Sequence, residues 1–170
     1  MLTLVKKHNH LQIVIFDFIS IIVILFVPTV SHLTGFPFYI FEPMRLLVIS
    51  YLIFSKNKNS YFLAILLPLF SFIFAGHPSL FKLPLVTIDL LLNVAFLNIL
   101  LTKRFNIYFS IILSVIISKV VYYSLKAIFI YVGLLVNGLV ETNIIYQIAN
   151  LLILLGISFI YVKKSNRNYL

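Results

Sequence analysis

Six apolar segments follow one another along this chain, at residues 11–30, 38–54, 60–74, 83–101, 107–132 and 144–162, each ending on a short polar or Pro/Gly break. That pattern limits the possible folds more than any single motif does. Spanning a bilayer takes about 20 apolar residues per helix, and four of the segments are near that length or beyond it. Of the 170 residues, 62% are hydrophobic and 10% charged. Soluble domains carry about 45–50% and about 25%. A water-soluble fold of this size has no core large enough for so much apolar surface. The sequence therefore predicts one all-α, polytopic membrane domain over residues 1–170. The segments at 38–54 and 60–74 are short for a bilayer about 30 Å thick, so either could be re-entrant.

The loops give the expected orientation. Lys6 and Lys7, Lys56 and Lys58, Lys103 and Arg104, and Lys163, Lys164 and Arg167 all fall on one side of a six-span arrangement. Lys82 is the only basic residue in the loops of the other side. Basic residues concentrate in cytoplasmic loops, so the expectation is six transmembrane helices in the cell membrane with both termini cytoplasmic. The net charge of +9 is then a matter of topology, and nucleic acid is not an expected partner. The first apolar run follows Lys6 and Lys7 as a signal peptide would. It carries Asp17 and lacks a small-x-small cleavage site, so it reads as a retained helix.

Ionisable groups inside apolar runs are costly when they face lipid, at least about 2.5–3.5 kcal/mol near a helix centre. Asp17, Glu42, Arg45, Asp89, Lys119 and Lys126 all sit in such runs. Three acids paired with three bases could be structural glue. Spacing adds to that reading. Lys119, Tyr122, Tyr123 and Lys126 share one helical face at i, i+3, i+4 and i+7. Asp89 and Asn93 share another, and so do Asn143, Gln147 and Asn150. All of these fall in the external half on the expected topology, and Asp17 alone lies toward the cytoplasm. Several helices presenting polar faces at one depth predict a pocket open to the outside. It would suit a small ligand with a flat or anionic part. Its expected residues are Glu42, Arg45, His77, Lys82, Asp89, Asn93, Lys119, Tyr122, Tyr123, Lys126, Gln147 and Asn150. Competing readings are an interfacial aromatic belt for the tyrosines, snorkelling to the headgroups for Lys126, and a local Glu42–Arg45 pair.

Several chemistries have no residues to run them. No phosphate-binding GxxxxGK[ST] loop is present, so the chain is not expected to hydrolyse ATP. No metal-ligand spacing appears, and no cofactor is expected. There is no Cys. His8 and His10 read as tail residues, His32 and His77 as outer-loop residues. Ser110, Ser114 and Ser118 share a face without a neighbouring base, which suits helix packing better than catalysis. An enzyme is therefore not expected.

The central block carries a resemblance. "FPFYIFEPMRLLVISYLIF", a basic turn, and "LLPLFSFIFAGHPSLFKLPLVTIDLLLNVAFLNILL" resemble the substrate-binding S component of energy-coupling factor (ECF) vitamin transporters. The matching positions are Pro68, Leu69, Ser71, Gly76, Pro78 and Asp89. The resemblance implies a subunit of an ABC importer that captures a vitamin or related micronutrient from outside. Its implied partners are a transmembrane coupling subunit and two ATPase subunits. The family's small-residue docking face is missing from the first helix, where Ser20 is the only small residue. The third helix, with Ala64 and Ser71, could contribute instead, or the chain could be a divergent or solitary member. The alternative is a small structural or assembly scaffold without a ligand, told apart by a filled core.

Overall fold

The structure is a computed structural model, and it describes residues 10–55, 59–136, 138–140 and 142–167. Six α-helices follow in chain order. They are α1 (His10–Thr34), α2 (Pro43–Ser55), α3 (Asn59–Ala75), α4 (Leu83–Thr102), α5 (Ile107–Tyr131) and α6 (Ile144–Arg167), with a short 3₁₀ turn at Phe38–Phe41 before α2. No strand occurs among the described residues.

Local chemistry explains the boundaries. α1 runs on past Val30, because the Thr34 hydroxyl donates back to the Val30 carbonyl at 2.7 Å. It stops at Gly35, whose φ of +67° takes the chain into the left-handed region. Pro28 and Pro68 lie inside α1 and α3, as membrane helices tolerate. The segment expected at 38–54 is not one helix. Glu42 adopts a left-handed conformation between the 3₁₀ turn and α2. Its neighbour Pro43 disfavours the α region for the residue before it and itself suits a first helical position. Pro84 stands in the first turn of α4. Asn106 caps α5, its side chain accepting from the Tyr108 N–H at 2.9 Å. α6 continues to Arg167, beyond the expected end at 162.

Five segments are long and apolar enough to cross a membrane: Val14–Thr34, Phe38–Ser55, Leu83–Thr102, Ile107–Tyr131 and Ile144–Lys163. α3, at 17 residues, measures about 25 Å at about 1.5 Å per residue and falls short. All six expected helices are present; five segments reach that length, and α3, one of the two expected to be short, is a shorter apolar helix. The chain is a multi-pass membrane protein.

α2 is the central helix. It touches α1, α3, α4 and α6, while α5 packs on α4 and α6. All six helices feed one core cluster. Ile24 comes from α1, Val48 and Ile49 from α2, Leu63 from α3, Val94 from α4, Ile111 from α5 and Leu154 from α6. Large exposed apolar side chains such as Phe18, Phe26, Ile116, Val120, Ile148 and Ile160 form the outer surface, as lipid-facing positions do.

Serine provides the close contacts. Ser20, Ser60, Ser71, Ser110, Ser114, Ser118 and Ser158 are all buried. Ser114 and Ser118 return their hydroxyls to the Ile111 and Val115 carbonyls at 3.0 and 3.1 Å. Small residues let helices approach closely in lipid, and the serine stripe of α5 does so. Ala64 and Ser71 also face inward, at 0% and 2% exposure. They cannot form the outward docking surface expected of α3.

Candidate ligand-binding cavity

The elements that end near one face of the bundle enclose a cavity of about 830 Å³. Its walls come from the last turns of α1, the 3₁₀ turn and start of α2, the end of α3 with the following turn, the start of α4, and α5 between Lys119 and Lys126. Thr142 closes it from the segment before α6. The floor is apolar, with Ile24, Val27, Met44, Val86 and Leu90.

Lys103 and Arg104 follow the far end of α4. The 20 residues of α4 place them about 30 Å from the cavity end, at about 1.5 Å per residue. Lys163 likewise lies near the far end of α6. Lys6, Lys7, Lys56 and Lys58 lie outside the described residues.

An ionic chain crosses the wall. The Arg45 guanidinium donates to Asp89 on α4, and it meets the Glu42 carboxylate at 2.8 Å. The other Glu42 oxygen accepts from Lys119 on α5. Asn150 on α6 also donates to Glu42, at 3.3 Å. Four helices are thus tied to one carboxylate–guanidinium centre. The left-handed turn at Glu42 is what aims this carboxylate across the bundle rather than along α2. The pairing is therefore not confined to the local Glu42–Arg45 contact. Arg45 is 2% exposed, and burying such charges requires partners on every side.

The Lys119 ammonium also lies over two rings, 5.5 Å from the Tyr122 centroid and 5.9 Å from that of Tyr123. Both distances are within cation–π reach. The two tyrosines pack edge to face at 5.4 Å. Elsewhere in the lining, Tyr39 packs against His77 at 5.2 Å. Lys126 is 1% exposed and donates to the Gly138 and Leu139 carbonyls at 2.8 and 3.1 Å. It holds down the segment between α5 and α6 instead of snorkelling outward.

Nine of the twelve expected site residues line the cavity: Glu42, Arg45, His77, Lys82, Asp89, Lys119, Tyr122, Tyr123 and Lys126. The other three stand behind the wall. Gln147 donates to the Tyr123 hydroxyl at 2.8 Å and to the Thr142 carbonyl at 3.1 Å. Asn150 supports Glu42. Asn93 is fully buried, and neither polar atom of its side chain has a hydrogen-bond partner.

Sequence reasoning missed the contribution of α1. Pro28, Ser31, His32 and Gly35 line the cavity at a helical i, i+3, i+4, i+7 spacing that was open to reading. His32 belongs to the last turn of α1 and not to a loop. His10 is likewise the first residue of α1 rather than part of a tail. Asp17 lies away from the cavity, where it accepts from Asn59 at 2.6 Å. No cluster of three or more His, Cys, Asp or Glu suited to a metal occurs among the described residues.

The fold and cavity define a class, a helical membrane protein with a polar, ring-walled chamber at one end. The chain matches no family model, no curated protein and no solved structure.

Proposed function

We propose that this protein is a membrane-embedded substrate-binding subunit that takes a small molecule from the external side, as the S component of an ECF-type importer does. The observation that carries this reading is the cavity itself. At about 830 Å³ it falls within the roughly 300–1,000 Å³ typical of small-molecule sites. It combines an apolar floor with a few convergent polar groups, as such sites do. It also lies at the end of α4 opposite Lys103 and Arg104, and the positive-inside tendency supports a mouth outside the cell. On this reading a coupling subunit and two ATPases supply the energy, since the chain has no phosphate-binding loop.

Gentle extraction from the native membrane followed by native mass spectrometry tests the proposal. A retained small molecule together with copurifying coupling and ATPase subunits is the expected result. A protein that leaves the membrane with neither returns the chain to a scaffold. The ionic chain favours that second reading, because Glu42, Arg45, Asp89 and Lys119 pair with one another across α2, α4 and α5, and Asn150 adds α6.

A further inference from the structure

Resting on the substrate-binding reading, we infer that the cavity takes a flat ring compound whose N–H or O–H group donates to Asp89. The two acids of the described lining, Glu42 and Asp89, differ in what they still accept. Both oxygens of Glu42 are in use, Oε1 by Lys119 and Oε2 by Arg45 and Asn150. Asp89 has one oxygen in use, Oδ2, which accepts from the Arg45 guanidinium. Its Oδ1 is buried and accepts no hydrogen bond. An ionised carboxylate offers about four acceptor positions, and a buried oxygen left unmet is costly. Asn93, one turn further along the same face of α4, does not supply the donor, since both polar atoms of its side chain also lack a partner.

The position of Asp89 makes a ligand the fitting source of that donor. Asp89 is 6% exposed and belongs to the cavity lining. The carboxyl torsion of Asp is broad and roughly two-fold, so a turn about it brings Oδ1 toward the chamber. Arg45 can follow that turn, because its Nε–H is also without a partner and offers the carboxylate a second point of attachment. Asp89 thus keeps its counter-ion while it meets the ligand.

Rings set the rest of the class. Tyr122 and Tyr123 stand on the α5 wall, edge to face at 5.4 Å, and Tyr39 and His77 pair elsewhere in the lining at 5.2 Å. Flat bodies pack on such rings offset or edge-on, and Val27, Met44 and Val86 add an apolar floor. A ring compound with a donor on its edge matches both features. Its body meets rings and floor, and its edge meets the lining carboxylate that still has an oxygen to offer.

Methylation removes the donor and keeps the ring, and a cavity of about 830 Å³ has room for the added methyl groups. The full-length protein is placed in nanodiscs of phosphatidylcholine, whose headgroup carries no N–H or O–H. It is offered three pairs at equal concentration: uracil and 1,3-dimethyluracil, benzamide and N,N-dimethylbenzamide, xanthine and caffeine. A culture-medium extract is offered in parallel, and bound species are read by native mass spectrometry. The expected result is retention of an unmethylated compound at least tenfold above its methylated partner. Arg45→Met with Asp89→Leu removes the acceptor without stranding a charge, and should bring that ratio to within about twofold of one. Asp89→Asn keeps the shape and a weaker acceptor, and should lower the ratio at least threefold. It keeps the test valid should the double variant fail to fold. A ratio below tenfold in every retained pair, or one that stays at its original value in a folded variant, overturns the inference while leaving substrate capture intact. A species retained only from the extract is methylated at its N–H and O–H groups and offered again. A tenfold loss of retention then supports the inference, and a smaller loss, or a species without such groups, overturns it. Retention of nothing from either the pairs or the extract overturns both readings.

Discussion

Glu42 and Lys119, 77 positions apart in sequence, form an ion pair that fixes α5 to the start of α2 at the cavity wall. Glu42 reaches Lys119 because the chain turns left-handed at that residue. Its second oxygen remains with Arg45. The pair thus couples the shape of the chamber to the stability of the bundle.

Arg45→Met should be the most destabilising single change in the ionic chain. It leaves Glu42 with only Lys119 and Asn150, and it strands Asp89 inside the bundle. Removing one partner of a buried pair costs about 3–5 kcal/mol. Thermal unfolding in detergent should show a drop in Tm of several degrees, and Arg45→Met with Asp89→Leu should recover part of it. Unfolding of Arg45→Met at the parent temperature would contradict the burial argument.

Ligand binding and folding should separate at Tyr123. Tyr123→Phe removes the acceptor for Gln147 but keeps the ring, at a stability cost of about 1 kcal/mol. Binding of the retained small molecule should stay within about twofold, because a ring wall acts through its face. Tyr123→Ala should weaken binding about tenfold or more, the expected scale for losing an aromatic contact and its buried area. Titration calorimetry of the two variants in nanodiscs distinguishes the cases, and equal affinities would remove the ring from the site.

Lys126→Met should loosen the segment between α5 and α6. Two charge-assisted bonds to the Gly138 and Leu139 carbonyls disappear, each worth about 1.5–3 kcal/mol. Hydrogen exchange should rise in residues 134–140 and remain at parent values in α2 and α4. A uniform rise across all helices would mean that Lys126 supports the whole bundle instead.

Gly76→Ala should cost about 1 kcal/mol although its surroundings are open. An added Cβ would meet nothing within 4 Å, but the φ of +65° is one that L side chains rarely adopt. The penalty lies in the backbone, and Gly76→Asn should recover part of it because Asn tolerates the left-handed region. Chemical or thermal denaturation of the three forms checks this order.

Orientation is open to direct labelling, since the chain contains no Cys. Ser79 and Lys103 are both exposed, at opposite ends of α4. With the cavity mouth outside the cell, Ser79→Cys should react with a membrane-impermeant maleimide on intact cells. Lys103→Cys should react only after permeabilisation. The reverse pattern would turn the chamber toward the cytoplasm.

Hydropathy and punctuation carried most of the secondary structure. Long apolar runs with Gly, Pro or Asn at their ends could hardly form anything else in lipid, where every backbone polar group needs an internal partner. The errors fall where a local preference outweighed the run. Pro43 forced a break at Glu42 inside one apolar stretch, and the Thr34 back-bond extended α1 into what looked like a loop. Polar stripes on α5 and at the start of α4 pointed to the chamber because intramembrane charge is expensive and seldom idle. The α1 wall was harder to see, since Pro28, Ser31, His32 and Gly35 carry no such cost.

By itself the sequence determined that the chain is helical, membrane-embedded and charged at one set of loops, because apolar length and residue charge are properties of segments. Only the tertiary structure decided which charges neutralise one another, which polar residues stand behind the wall, and that a chamber exists at all. Those outcomes depend on which helix faces which. Glu42 could have ended at a local pair with Arg45, and it was the packing of α4, α5 and α6 around α2 that added Asn150 and Lys119 to Glu42 and brought Asp89 to Arg45.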